Sequence, residues 1–165
     1  NKEAAQPAIV PSCALGQQVE RLATGTGIEP DNGEDGPSQL RIINGTNRDA
    51  AVRLVDKTTS RTARFVYVRA GDTYTLTGID SGTYLLRYVS GYDWVPACPT
   101  FLKEPDYSEF EGALLFEAVT ADDNRDGYRT TYEVTLNPVP LGNARKRAID
   151  RRRFFEGDQY LTPTP

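Results

Sequence analysis

Residues 40–90, LRIINGTNRDAAVRLVDKTTSRTARFVYVRAGDTYTLTGIDSGTYLLRYVS, decide the fold class. Five runs of alternating or β-branched residues follow one another, separated by turns containing Gly, Asn, Asp or Lys. Residues 40–44 run into Gly45-Thr46-Asn47, and residues 51–56 set Val52 and Leu54 opposite Arg53, so this pair reads as a hairpin. Asn44-Gly45-Thr46 also matches a glycosylation acceptor, but Asn-Gly is itself a preferred turn pair, which explains it fully. Residues 62–69 place Phe65 and Tyr67 against Val66 and Val68, apolar on both faces, as a central strand of a two-sheet body requires. Residues 73–79 and 83–90 flank Asp80-Ser81-Gly82 and set Tyr84, Leu86 and Tyr88 on one side.

Outward from this block the pattern changes. Residues 91–107 contain three prolines and the only tryptophan and read as a loosened segment. Residues 110–120 and 128–139 read as a last long hairpin, with Tyr128, Thr130, Tyr132, Val134 and Leu136 on one face. The count is about seven strands, the size of a small Ig-like or transthyretin-like β-sandwich, spanning residues 38–140. Residues 1–37 form an N-terminal arm or linker, with a turn or two of helix over 14–22 and a Gly/Pro-rich, acidic loop over 25–38. Residues 141–165 form a basic C-terminal arm with a short helix over 143–155, on which Leu141, Ala144, Ala148 and Phe155 share a face.

The 16 residues GDTYTLTGIDSGTYLL, 71–86, resemble the G-x-Y-x-L…G-x-x-x-G-x-Y-x-L hairpin of carboxypeptidase-regulatory-like, or transthyretin-like, β-sandwich domains of secreted and surface proteins. The resemblance implies an accessory or adhesive role, not a catalytic one.

Composition narrows the chemistry. The 165 residues contain no histidine, which removes Ser-His-Asp and Cys-His nucleophiles and imidazole zinc sites. A hydrolase would have to use carboxylates, and Glu104, Asp106, Glu109, Glu111 and Glu117 are dense enough for that; a solvated acidic strand edge is the simpler reading. We expect no enzyme and no obligatory cofactor. Calcium is the one cofactor with a motif: Asp122-x-Asn124-x-Asp126-Gly127-x5-Glu133 satisfies the pattern of a calcium loop, although its flanks read as strands. Tyr92, Trp94 and Phe101 are candidates for a sugar-stacking platform, with Tyr107 and Phe110 beside them.

The net charge of −4 hides a split. Residues 1–144 carry 13 basic and 20 acidic side chains (−7), whereas residues 145–165 carry 6 basic and 3 acidic (+3). So acidic a body repels phosphate backbones, and nucleic acid is not an expected partner. Arg145, Lys146, Arg147, Arg151, Arg152 and Arg153, next to Phe154 and Phe155, instead suit docking on an acidic protein face, which the acidic run 104–126 of another copy would offer. Cys13 and Cys98 lack the spacing of a zinc or redox motif and read as one long-range disulfide, with two buried free thiols as the alternative. A first residue other than Met, no Met anywhere, and no apolar run near the roughly 18 residues of a membrane span together suggest an exported chain with no transmembrane segment. The expected function is that of an extracytoplasmic interaction module: an accessory or self-assembling structural subunit of an envelope, periplasmic or cell-surface complex, acting through its arms. A carbohydrate- or calcium-binding β-sandwich module is the alternative.

Overall fold

The computed structural model describes residues 18–31, 36–124, 126–137 and 145–156. Its strands are β1 (Ser38–Ile43), β2 (Asp49–Asp56), β3 (Thr62–Val68), β4 (Thr73–Ile79), β5 (Gly82–Val95), β6 (Thr100–Phe110), β7 (Leu114–Phe116), β8 (Thr131–Thr135) and β9 (Lys146–Ala148), followed by a single short helix, α1 (Arg151–Phe155). The strands form two sheets. The smaller has the order β4-β1-β8, in which β1 runs antiparallel to β4 and parallel to β8. The larger has the order β3-β2-β5-β6-β9, with β7 pairing the start of β5.

Between the sheets lies the main core. Leu40, Ile42, Leu76, Ile79 and Val134 of the small sheet meet Val52, Leu54, Val66, Leu86, Tyr88 and Phe110 of the large one. Each fully buried side chain of this size contributes about 1.5–3 kcal/mol relative to exposure. Burial also explains the partition of strands. In β1 and β4 buried positions are interrupted by exposed ones, as in a sheet wetted on one face, whereas β2 is buried from Ala50 to Val55 and β3 throughout, as in a sheet covered on both.

This partition corrects several expectations. The all-β class stands, but there are nine strands among the described residues, not about seven. β1 and β2 are not a hairpin: residues 44–48 carry the chain from one sheet to the other. Asn44, fully buried, holds that corner by donating to the carbonyls of Arg48 and Val68 and accepting from Thr46, so its amide is not open to glycosylation. Likewise β4 and β5, the two strands of the GDTYTLTGIDSGTYLL segment, lie in different sheets, joined across Asp80 and Ser81. In each case local alternation marks a strand, but its partner is chosen by which core its apolar face must enter. The expected last hairpin is also divided. β7 pairs β5 and β8 pairs β1, and the two segments meet through a bridge at Val119 and Tyr128 and through the Thr130 and Tyr132 hydroxyls, bonded to Glu117 and Leu115.

The loosened segment 91–107 is mostly strand: β5 continues to Val95 and β6 begins at Thr100. A register shift after Ser90 and positive φ at Asp93 (62°) and Glu104 (52°) bend the pair without breaking it. At the C-terminus helix is confined to Arg151–Phe155, capped by the Asp150 carboxylate on the Arg153 N–H at 2.8 Å. Residues 146–148, expected in that helix, form β9; residues 143 and 144 lie outside the described residues, as do residues 14–17 of the helix expected near the N-terminus. Among described residues no helix is long and apolar enough to cross a membrane.

Candidate functional site

The middle of the large sheet's outer face carries two adjacent rows of residues in register. One row is apolar: Tyr67, Ala51, Val89 and Tyr107. The next is Phe65, Arg53, Arg87, Glu109 and Arg147, in which only the first is uncharged. Two arginines side by side on neighbouring strands repel, and both are buried. Their charge is met from two directions. Glu109, 1% exposed, accepts from Arg87 Nε at 2.8 Å, from Arg153 at 3.1 Å and from Arg147. The C-terminal turn supplies the rest: Arg53 donates to the carbonyls of Phe154 (2.6 Å) and Glu156 (3.1 Å), and Arg87 to that of Glu156 (3.0 Å). Cations at the carbonyl end of a helix are favourably placed. Burial pushes the Glu109 carboxyl up, but the hydrogen bonds from Arg87 and Arg147 and the Arg153 charge outweigh it and hold it below the usual carboxylate range. Burial lowers the Arg87 guanidinium, against the opposing pull of Glu109.

The N-terminal segment is fastened to the same face by a second carboxylate. Asp49 accepts a two-point contact from Arg21 (2.8 and 3.0 Å), the Tyr67 hydroxyl at 2.6 Å and the Ala70 N–H at 2.9 Å. Desolvation raises the Asp49 carboxyl, and these donors together bring it below its ordinary value; burial and Asp49 push the Tyr67 phenol up. Residues 25–28 then bond to Phe65 and Tyr67 along the outer edge of β3, and Leu22 and Ile28 pack on the aromatic cluster.

These two fastenings decide where the expected site residues stand. Phe154 and Phe155 are fully buried beside Phe65 and Tyr107, so they cannot be the exposed docking residues expected from the tail. Lys146 turns inward to the Tyr88 hydroxyl and the Leu136 carbonyl. Arg147 and Arg153 bind Glu109, and Arg151 is partly buried. Only Arg145 and Arg152 of the cluster are exposed without an ion pair among the described residues. The aromatic platform is corrected in the same way. Trp94 and Phe101 are 1% exposed, ring to edge at 4.9 Å, under the segment in which Glu20 bridges Trp94. Tyr92 alone is open, with Arg48 stacked on its ring at 5.0 Å.

The calcium pattern is not assembled. Asp122 accepts the Asn124 N–H in a local turn, while Glu133 lies on β8 and pairs with Arg41 at 2.8 Å. Among described residues no three acidic or thiol ligands stand together. Glu109, a member of the acidic stretch, faces arginines rather than a cleft. Cys98 is buried and is not a free thiol; Cys13 lies outside the described residues.

Arg53, Arg87, Asp49 and Arg21 were missed from the sequence. The available signal was an arginine in the middle of two apolar strands, which alternation alone assigns to a wetted face. Comparison with family models, with curated proteins and with solved structures finds no match to this chain.

Proposed function

We propose that this chain is a non-catalytic, extracytoplasmic interaction module, an accessory or self-assembling subunit that docks through its basic C-terminal edge. The observation that carries this reading is the position of β9: it ends the larger sheet, next to Arg145, with Arg152 shortly beyond it, and both arginines are exposed and unpaired among the described residues. A strand at the end of a sheet offers backbone groups for pairing, and here the accompanying charge is positive. Residues 1–144 carry −7, so a second copy is a complementary partner. The buried charges support a structural role for the chain's ionisable groups, since Arg53, Arg87, Glu109 and Asp49 hold its own terminal segments.

A Cys13–Cys98 disulfide belongs to this reading and supports an oxidising compartment. Of the two fold types expected, we favour the transthyretin-like one, because β2 pairs with β3 as well as β5, unlike the ABED and CFG partition of an immunoglobulin domain.

Sedimentation of the full chain tests the docking. Association at low ionic strength is expected to weaken in about 0.5 M salt and in the Arg145→Glu/Arg152→Glu variant. A monomer at every concentration and salt removes self-assembly. Thiol alkylation followed by intact mass tests the compartment: two alkylated cysteines without prior reduction would reject the disulfide.

A further inference from the structure

The corner formed by Asp80 and Ser81 is flanked on both sides by open space. On one side lies a groove of about 700 Å³, walled by Gly36 and Pro37 and by the paired segments at Val119 and Tyr128. On the other lies a hollow of about 440 Å³, bounded by Asp56, Thr59, Arg61 and Tyr84. Asp80 and Ser81 line both spaces, which are together called the trough. Its walls are backbone set against backbone. A Cβ on Gly127 would stand 2.7 Å from the Ala121 nitrogen, and one on Gly36 would stand 2.1 Å from the Ile79 carbonyl oxygen. At both glycines the wall is thus too closely packed to admit a side chain.

Its chemistry differs from that of the buried row under α1, where the charges are paired. Along the trough the Asp80, Arg61 and Arg129 side chains make no hydrogen bond or ion pair among the described residues, and Tyr128, 56% exposed, is the most open large apolar side chain described. Acidic and basic groups line it together with Ser81, Thr59 and Thr120. A polyanion would meet Asp56 and Asp80, and a polycation would meet the two arginines. A neutral chain rich in hydroxyls meets neither penalty. It satisfies carboxylate, guanidinium and hydroxyl groups at once, and it offers an aliphatic ring face to an exposed aromatic.

We propose that this trough binds a short neutral oligosaccharide, stacked on Tyr128 and hydrogen-bonded by Asp80, Ser81 and Arg129. It is separate from the Tyr92 region and does not depend on the docking edge at β9. Calorimetric titration of the full chain with three hexasaccharides, of β-1,4-glucose, of β-1,4-N-acetylglucosamine and of β-1,4-mannose, tests it, with an alternating Lys-Glu decapeptide as the competing ligand class. At least one sugar is expected to bind. Tyr128→Ala is expected to weaken that binding tenfold or more, and Arg129→Ala or Asp80→Asn threefold or more, with unchanged melting temperature, while Tyr92→Ala leaves it unaltered. No heat from any of the three sugars at 5 mM overturns the proposal. So does tighter binding of the decapeptide, or sugar binding lost in Tyr92→Ala but kept in Tyr128→Ala.

Discussion

On the outer face of the small sheet, Arg41, Thr77, Thr131 and Glu133 stand in water, and the Arg41–Glu133 ion pair there is half-exposed at both ends. On the outer face of the large sheet, Phe65, Tyr67, Val89, Trp94 and Tyr107 are covered by residues 18–28 and 145–156, and charges of the same kinds are buried beneath them. The difference shows that an arginine on a strand has no fixed energetic meaning. Arg41 and Arg53 both sit on the outward side of a strand. The first contributes little because water screens it, whereas the second, with its neighbour Arg87, is out of water and tied to carbonyls of the C-terminal turn. Residues 18–28 and 145–156 thus close one face, while among the described residues the other stays wet.

Removing a covering residue should produce the largest effect. Phe154→Ala opens a cavity against Phe65 and Tyr107 and is expected to cost about 3–5 kcal/mol in urea unfolding. A cost under 1 kcal/mol would mean that the C-terminal turn does not seal this face. Glu109→Ala removes the carboxylate shared by Arg87, Arg147 and Arg153 and leaves Arg87 buried without its ion-pair partner; about 3 kcal/mol is expected, at the lower end for a broken buried pair.

Acid should act on the covered face in the same sense. Glu109 and Asp49 both have carboxyls held below their ordinary values of 4.5 and 3.8 in the folded chain. The unfolded chain therefore binds protons first as pH falls, so their contribution is complete above the unfolded values and is lost as pH drops through the lowered, folded ones. Melting temperature followed downward from neutral pH should fall most steeply below about pH 4.5, and Glu109→Gln should flatten that slope. An unchanged slope would place the acid sensitivity elsewhere. On the wet face Glu133→Gln should change stability by no more than about 0.5 kcal/mol, and less in high salt. An effect as large as that of Glu109→Ala would erase the contrast between the two faces.

Strands were legible because their signal is local. Val52 and Leu54, or Tyr84, Leu86 and Tyr88, announce a period of two whatever they pair with. The both-faces-apolar reading of residues 62–69 likewise matches a β3 buried throughout. The candidate site was harder to read. Trp94 and Phe101 have the composition of a stacking platform, and Phe154 and Phe155 that of a docking tail, until the first pair is found under the segment at Glu20 and the second packed into the aromatic cluster of Phe65 and Tyr107. Asp122 to Glu133 has the letters of a calcium loop, but Glu133 belongs to a strand that runs parallel to β1 and points its carboxylate at Arg41.

By itself, then, the sequence determined an all-β chain without imidazole chemistry, acidic in its body and basic at its end, because alternation, turn residues and charge are properties of neighbours. Tertiary structure alone decided which strands share a sheet, that Arg53 and Arg87 are buried, and that residues 18–28 and 145–156 cover the outer face of the larger sheet. Those outcomes depend on residues as far apart as Arg53 and Glu156, 103 positions, competing to exclude water from the same surface, and no local pattern records which of them wins.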